Sequence, residues 1–351
     1  MPVKIWKRGP APAWKPADEQ DEYRELCRVR LDHLVEVREP FVLVSQVQRS
    51  GGTLLSQLFD GHPQCHAHPS EVYIGHPRKW EWPPLDLERP DTWFDLLYES
   101  PVELHLREGY VKQKESRLQE GHDIFPFLFL PDLQREIFER CVAGRTIECE
   151  RDVLDCYFTS YFNAWLDNQN LYTGPKRVVT GFTPGLAAEP GNPERFFAAY
   201  PDGKLITIVR DPAAWYESAR RYRARYEDVE EALGQWVRSA TASVEAKAQF
   251  GERVVLLTYE QLVLDPDGTM RAVADRIGIE MSPVLLEPTF NGRPIRANSS
   301  VDVQEYGILQ ERTTAYRDSL DAATIARIEE LAGPLHARAG ALAAGRAAEA
   351  R

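Results

Sequence analysis

The sequence predicts an α/β fold, a parallel β-sheet flanked by helices on both faces, from three observations. Short apolar runs of strand character recur at Phe41–Val44, 177–182, Lys204–Val209 and 253–258, the last three rich in β-branched residues. Segments of helical spacing alternate with them, at 154–166, Val229–Phe250 and 267–277, and strands that alternate with helices pair in parallel. The third observation is how the first run ends. Phe41-Val42-Leu43-Val44 breaks into a small polar turn, Gln48-Arg49-Ser50-Gly51-Gly52-Thr53, and resumes with Leu54, Leu55 and Leu58 at helical spacing.

Composition sets the outer limits. A chain of 351 residues with 43% hydrophobic and 27% charged residues has ordinary globular values and can bury a full core. Its formal net charge of −12 argues against a protein built to coat nucleic acid or anionic membrane, while allowing a local basic groove. Five cysteines with no C-x-x-C pair read as reduced thiols in a cytoplasmic setting. The N-terminus is basic but lacks a following apolar stretch, and no run reaches the roughly 18 apolar residues of a membrane span. The chain reads as soluble and cytoplasmic.

In chain order, residues 1–40 form an N-terminal arm and helix: 1–16 is Pro-rich and cationic, and 18–36 has helical spacing through Tyr23, Leu26, Val29 and Leu34. Residues 41–336 form the main domain. After the glycine turn and its helix, Gly61-His62-Pro63 is a stop, followed by the histidine-rich passage Cys65-His66-Ala67-His68-Pro69-Ser70-Glu71. Residues 76–145 are an insert holding Trp80, Trp82 and Trp93 with Arg107, Lys112, Lys114 and Arg117. It reads equally as a mostly helical substrate-recognition region or as a subdomain packed by its tryptophans. A short strand at 145–149 and the 154–166 helix come next. The 177–182 strand ends at Thr183-Pro184-Gly185, and after Val209 the pair Asp211-Pro212 caps a helix carrying Trp215, Ser218 and Ala219. The 253–258 strand leads into Tyr259-Glu260-Gln261-Leu262; 283–300 is a loop rich in Pro, Gly and Asn; and 322–335 is a final amphipathic helix before a fraying Ala-rich tail at 337–351. No internal repeat is present.

The glycine turn carries the chemistry. Strand, glycine turn and helix start aim backbone N–H groups and a positive dipole end at an anion. Gly51 and Gly52 allow close backbone approach, Ser50 and Thr53 add hydroxyl donors, and Arg49 adds a cation. The nucleotide-triphosphatase loop G-x-x-x-x-G-K-[ST] is not matched, since Arg49 precedes Ser50 and the upstream glycine is missing. The plainer reading is an ordinary strand-to-helix turn. In a parallel sheet, ligands sit outside the carboxyl ends of the strands, so the turn, Arg210 after Val209 and Tyr259 after Thr258 should converge. Arg210 can fork onto a second phosphate with Ser218 beside it, or simply pair with Asp211.

Together these strings resemble the sulfotransferase family that uses 3′-phosphoadenosine 5′-phosphosulfate (PAPS). The resemblance rests on Q-R-S-G-G-T-L-L at 48–55 with His62-Pro63, I-V-R-D-P at 208–212 with Ser218, and T-Y-E-Q-L-V-L-D-P at 258–266. It is closer to the tyrosylprotein, Golgi-type and bacterial members than to the cytosolic phenol and steroid enzymes, which carry lysine at the Arg49 position. It implies a P-loop-like core and a 5′-phosphosulfate loop of Arg49, Ser50, Gly51, Gly52, Thr53 and Leu54. It also implies a 3′-phosphate site at Arg210 and Ser218, and a nucleotide contact at Tyr259. The glycine-rich 3′-phosphate loop of the cytosolic enzymes is not recognisable, and Arg296, Asn298 and Ser299 are the candidates in its place. Arg49 and Arg210 should frame two separate anion pockets an adenosine's breadth apart on one rim.

The resemblance further implies sulfuryl transfer from PAPS without a metal, to a small-molecule, carbohydrate, lipid or peptide acceptor. A sulfuryl group carries one negative charge, so aimed N–H donors and an arginine suffice. The acceptor needs a base. Glu71 falls about where arginine-loop relatives place a glutamate, and His66, His68 and His76 compete, His68 foremost. A metal reading of His62, Cys65, His66 and His68 lacks the paired spacing of a zinc site. The alternatives are a phosphoryl-transfer P-loop enzyme or a non-catalytic nucleotide-binding module.

Overall fold

The computed structural model describes residues 16–74, 80–98, 128–222, 226–297 and 305–345, together with a two-stranded pair at 111–112 and 115–116. Five strands, β1 (Phe41–Val44), β2 (Cys65–Glu71), β3 (Val178–Phe182), β4 (Lys204–Val209) and β5 (Val254–Thr258), form one sheet in the order β2-β3-β1-β4-β5. Every pairing in it is parallel, with Val44 opposite Phe182 on one side and Ile206 on the other, and Val209 opposite Thr258. The first strand is thus central, and the winding reverses there. That reversal opens a crevice at the carboxyl end of β1, where open α/β sheets take their ligands.

Near-continuous apolar runs form these strands because both faces are covered. Val42, Val44, Ile206, Ile208, Val255 and Leu257 point to one face, beneath α2 (Gly52–Phe59) and the helices that follow β5. On the other face, Phe41, Leu43, Val179, Leu205 and Val254 meet the aromatic side of helix Glu150–Ala164. Val209 and Leu256 meet helices Pro212–Arg220, Val229–Phe250 and Ala322–Ala343. In chain order the other helices are α1 (Pro16–Asp32), α3 (Pro90–Leu97), α4 (Pro131–Ala143), α5 (Glu150–Ala164), α6 (Asn192–Ala199), α7 (Pro212–Arg220), α8 (Val229–Phe250), α9 (Tyr259–Leu264), α10 (Pro266–Ile277) and α11 (Ala322–Ala343). The α/β class with a central parallel sheet is as the sequence predicts.

Several local expectations need correction. Residues 145–149 form no strand: the Asp152 carboxylate takes the N–H groups of Glu148 and Cys149 in a capping box, so those donors serve the start of α5 rather than a ladder. The histidine-rich passage, assigned no element from sequence, is edge strand β2. Its polar residues are tolerated because His66 and His68 lie under Phe162 and Tyr161 of α5. The tail from residue 337 does not fray at once. The helix runs to Ala343, with Ala339 fully buried and Leu342 packed against the core, as alanine's helix propensity and the contact with α8 together favour. Finally, Cys141 and Cys156 are joined as a disulfide between α4 and α5, Cα–Cα 5.5 Å. Reduced thiols therefore do not describe the whole chain, and cysteine usage no longer argues for a reducing compartment. Among the described residues of the insert, Trp82 and Trp93 are buried core residues and Trp80 is exposed. Arg107, Lys114 and Arg117 lie outside the described residues. No helix among the described residues is long and apolar enough to cross a membrane.

Candidate functional site

The site is built on the turn between β1 and α2. Arg49 has φ 68° and Gly51 φ 93°, both left-handed, so the backbone curls and directs successive N–H groups into one concavity. For Gly51 a side chain is doubly excluded, by that φ and by the Tyr259 ring, whose Cδ2 would lie 2.6 Å from an added Cβ. Tyr259 is therefore in contact with the turn itself. It sits on the first turn of α9, placed by Thr258, whose hydroxyl accepts from Gln261 N while the Gln261 side chain returns to Thr258 N.

Arg210 leaves the end of β4 and runs beneath the turn. Its guanidinium lies 4.3 Å from the centre of the Tyr259 ring and donates from Nη1 to the Arg49 carbonyl and from Nη2 to the Arg312 carbonyl, both at 2.9 Å. Trp236 donates to the Arg210 carbonyl at 3.0 Å and Trp215 to the Gln48 carbonyl at 2.7 Å, fixing strand end and turn against α7 and α8. Burial draws the Arg210 pKa down from the usual guanidinium value, with Tyr259 and Glu260 opposing it. Burial raises that of Tyr259, with Arg210, Arg49 and Arg312 acting in the other direction. Three cations thus bear on one tyrosine ring. The Glu260 carboxylate stands with them and acts in the opposite sense, so three cations face one acid, a net positive cluster that an anion stabilises.

Arg49 turns from the loop toward α7, where its Nε donates to Ser218 Oγ at 3.2 Å, and it lies over the Tyr222 ring at 5.3 Å. The sequence expected two pockets an adenosine's breadth apart. The structure places Arg210 against the main chain of the turn and links Arg49 to Ser218. The reason is local: a buried strand-end guanidinium must satisfy its donors, and the nearest acceptors are the carbonyls of the turn.

Several buried polar atoms here have no protein partner: Ser50 Oγ, Gln48 Oε1, Arg210 Nε, Arg312 Nε and both ends of the Gln46 amide. Such atoms are rare in folded proteins, and a bound polar ligand or water would complete their bonding. Thr53 and Leu54 lie in the first turn of α2, half-buried, with the Thr53 carbonyl taken by Ser56. The concavity, the cations and the donors fit a phosphorylated, anionic ligand.

Glu71 is the last residue of β2, opposite Phe182 at the carboxyl end of β3. It therefore stands on the same edge of the sheet as the turn. His68 lies within the strand, buried, its ring stacked on Tyr161 at 4.6 Å. His66 is also buried, and burial pushes its pKa down to about 3. His76 lies outside the described residues. His62 Nε2 is bonded to the Glu280 carbonyl at 3.0 Å while its Nδ1 accepts from Gln64 N. Among the described residues no group of three or more His, Cys, Asp or Glu side chains is placed to hold a metal ion. Arg296 forms a backbone bridge with Tyr306; Asn298 and Ser299 lie outside the described residues. Sequence reasoning missed Arg312 and Gln46. Arg312 sits in a short 3-10 turn, Gln310–Thr313, with no strand end or glycine to draw attention to it. Gln46 reads as a plain residue after a strand until its burial is seen.

Comparison with known proteins supplies the family. No curated protein matches the chain. Among solved structures, the sulfotransferase domain from the curacin biosynthetic pathway is 17% identical, covers 84% of this chain and 98% of its own, and has a TM-score of 0.47. The sulfotransferase domain from the Synechococcus PCC 7002 olefin synthase is 20% identical, with coverages of 86% and 95% and a TM-score of 0.48. A sulfotransferase from Alicyclobacillus acidocaldarius is 16% identical, with coverages of 89% and 98% and a TM-score of 0.43. Decisive is the family model described as "Sulfotransferase family", which matches residues 40–283, a span that takes in the turn, Glu71, Arg210, Ser218 and Tyr259. The chain belongs to the sulfotransferase family.

Proposed function

We propose that this sulfotransferase uses PAPS as donor, needs no metal, and passes the sulfuryl group to a hydroxyl or amine of a small-molecule, carbohydrate, lipid or peptide acceptor. The observation that carries the reading is the set of buried, unpartnered polar atoms around the β1–α2 turn, together with the cations beside them. When bound, PAPS supplies a sulfuryl group activated as a phosphoric–sulfuric anhydride.

The chain's residues divide the remaining work. N–H groups at the start of α2, with Ser50 and Thr53, bind the 5′ end of the donor, and Gly51 and Gly52 let the backbone come close. Arg49 faces the charge that develops on the leaving oxygen; one such aimed donor is typically worth about 3–4 kcal/mol. Arg210, Ser218 and Arg312 hold the 3′-phosphate. Once that phosphate is present, Arg210 has an acceptor for its buried Nε. The Tyr259 ring packs against Gly51 and shapes the nucleotide cleft. Glu71 takes the acceptor's proton at its carboxylate. Its place at the strand end supports this role over His68, which is packed beneath α5. The 76–145 insert is the acceptor region, with Trp80 the exposed tryptophan of its described part.

The test is thermal stabilisation by 3′-phosphoadenosine 5′-phosphate (PAP), compared with AMP and ATP. At about a hundred times its dissociation constant a true ligand adds roughly 2.7 kcal/mol, so PAP should shift the melt well beyond AMP. An equal response to ATP with magnesium, and none to PAP, would sink the proposal.

A further inference from the structure

The carboxamide of Gln46 is a buried polar group with neither end hydrogen-bonded. Gln46 lies two residues beyond β1, is 2% exposed, and has no hydrogen-bond partner for either Nε2 or Oε1. Its main chain is fixed, since its carbonyl accepts from Gly185 N at 2.9 Å. Leaving both ends of a buried amide unsatisfied is costly, and an apolar residue of similar size would avoid that cost.

What surrounds the amide shows what it can reach. A Cβ added to Gly52, the first residue of α2, would lie 2.0 Å from Gln46 Nε2 and 2.3 Å from Phe182 Cε2. Gln46 thus fills the space that a side chain at position 52 would take, at the helix start where the N–H donors converge. Phe182, its other neighbour, is the residue paired with Glu71 across β3 and β2. The amide therefore lies beside the first residue of α2, at the end of the crevice proposed to receive the donor's 5′ group.

From this placement we infer that Gln46 contacts the sulfuryl group itself, donating from its carboxamide to the sulfuryl oxygens. The inference rests on the PAPS reading above and goes beyond it to a residue that distinguishes the sulfuryl group from the rest of the donor. The chemistry suits the group. A sulfuryl group presents only acceptor oxygens and a single negative charge, so a neutral amide donor meets it without adding another cation to a site that already has three. Position 52 is glycine because a Cβ there would meet both the amide and the Phe182 ring.

The test separates the sulfuryl group from the nucleotide. Wild type, Gln46→Met and Gln46→Asn are titrated calorimetrically with PAPS and with PAP, which lacks only the sulfuryl group. Methionine keeps the length and removes the hydrogen bonds; asparagine keeps the amide but withdraws it, so one variant stands if the other fails to fold. Both should bind PAPS about tenfold more weakly while holding PAP as wild type does. Equal weakening of PAP and PAPS would assign Gln46 to shaping the turn and overturn the inference, as would unchanged binding of both. If wild type binds neither compound, the PAPS reading itself fails, and this inference falls with it.

Discussion

Glu71 and His68 are three residues apart on one strand, yet their surroundings differ completely. His68 contributes its ring to an aromatic stack with Tyr161, which in turn meets Phe129 at 5.2 Å and Phe162 at 5.7 Å. A ring packed in that way is part of the core, and its removal should act on stability. Glu71 is half-buried at the edge where the strands end. We predict that Glu71→Gln lowers transfer by about 10²–10⁴-fold, the usual worth of a general base, while the melt shift with PAP stays as in wild type. The assay is PAP released from PAPS with a panel of phenolic, sugar and amine acceptors. Turnover retained in Glu71→Gln would move the base to a histidine.

At the scale of elements, the site depends on how α7 begins. Asp211 accepts from Ala214 N at 2.8 Å and Pro212 occupies the first turn, so the helix starts directly after Arg210. The same residue's N–H donates to Glu260 Oε1 at 3.1 Å, tying the start of α7 to α9. One cap thus sets both the direction of Arg210 and the distance from the turn to Ser218. Asp211→Ala should cost about 1 kcal/mol in urea denaturation, the ordinary worth of such a cap, and should weaken PAP binding in parallel. A stability loss with PAP affinity untouched would show that the cap serves the helix alone.

At the scale of the whole molecule, the layer of α4 and α5 behind the sheet contains a buried carboxyl that responds to pH. Asp155 is 6% exposed, and burial raises its pKa to about 7 against the opposing pull of Arg151, 3.7 Å away. The folded value lies above the ordinary carboxyl value of 3.8, so the protonated form is favoured in the fold. The stability this confers is complete below about pH 4 and is lost as pH rises through about 7. Each pH unit between those two values is worth about 1.4 kcal/mol, so the loss is on the order of a few kcal/mol. Asp155→Asn, which cannot ionise, should match wild type most closely in thermal melts at or below pH 4 and be the more stable protein at pH 8. A difference that does not change with pH would exclude this account.

The sequence by itself determined the α/β class, four of the five sheet strands, the glycine turn, and the strand-end positions of Arg210 and Tyr259. These are local properties: apolar runs, helical spacing, turn residues and caps are written within a few residues of where they act. Tertiary structure decided the rest. Strand β2 was hidden because its histidines carry no strand pattern and are buried only once α5 covers them. Arg312 and Gln46 entered the site through contacts across more than 100 residues, Arg312 by its carbonyl on Arg210 and Gln46 through the backbone of Gly185. A side chain's chemistry can be read from the sequence, whereas the absence of a partner for it becomes visible only when every neighbour is in place.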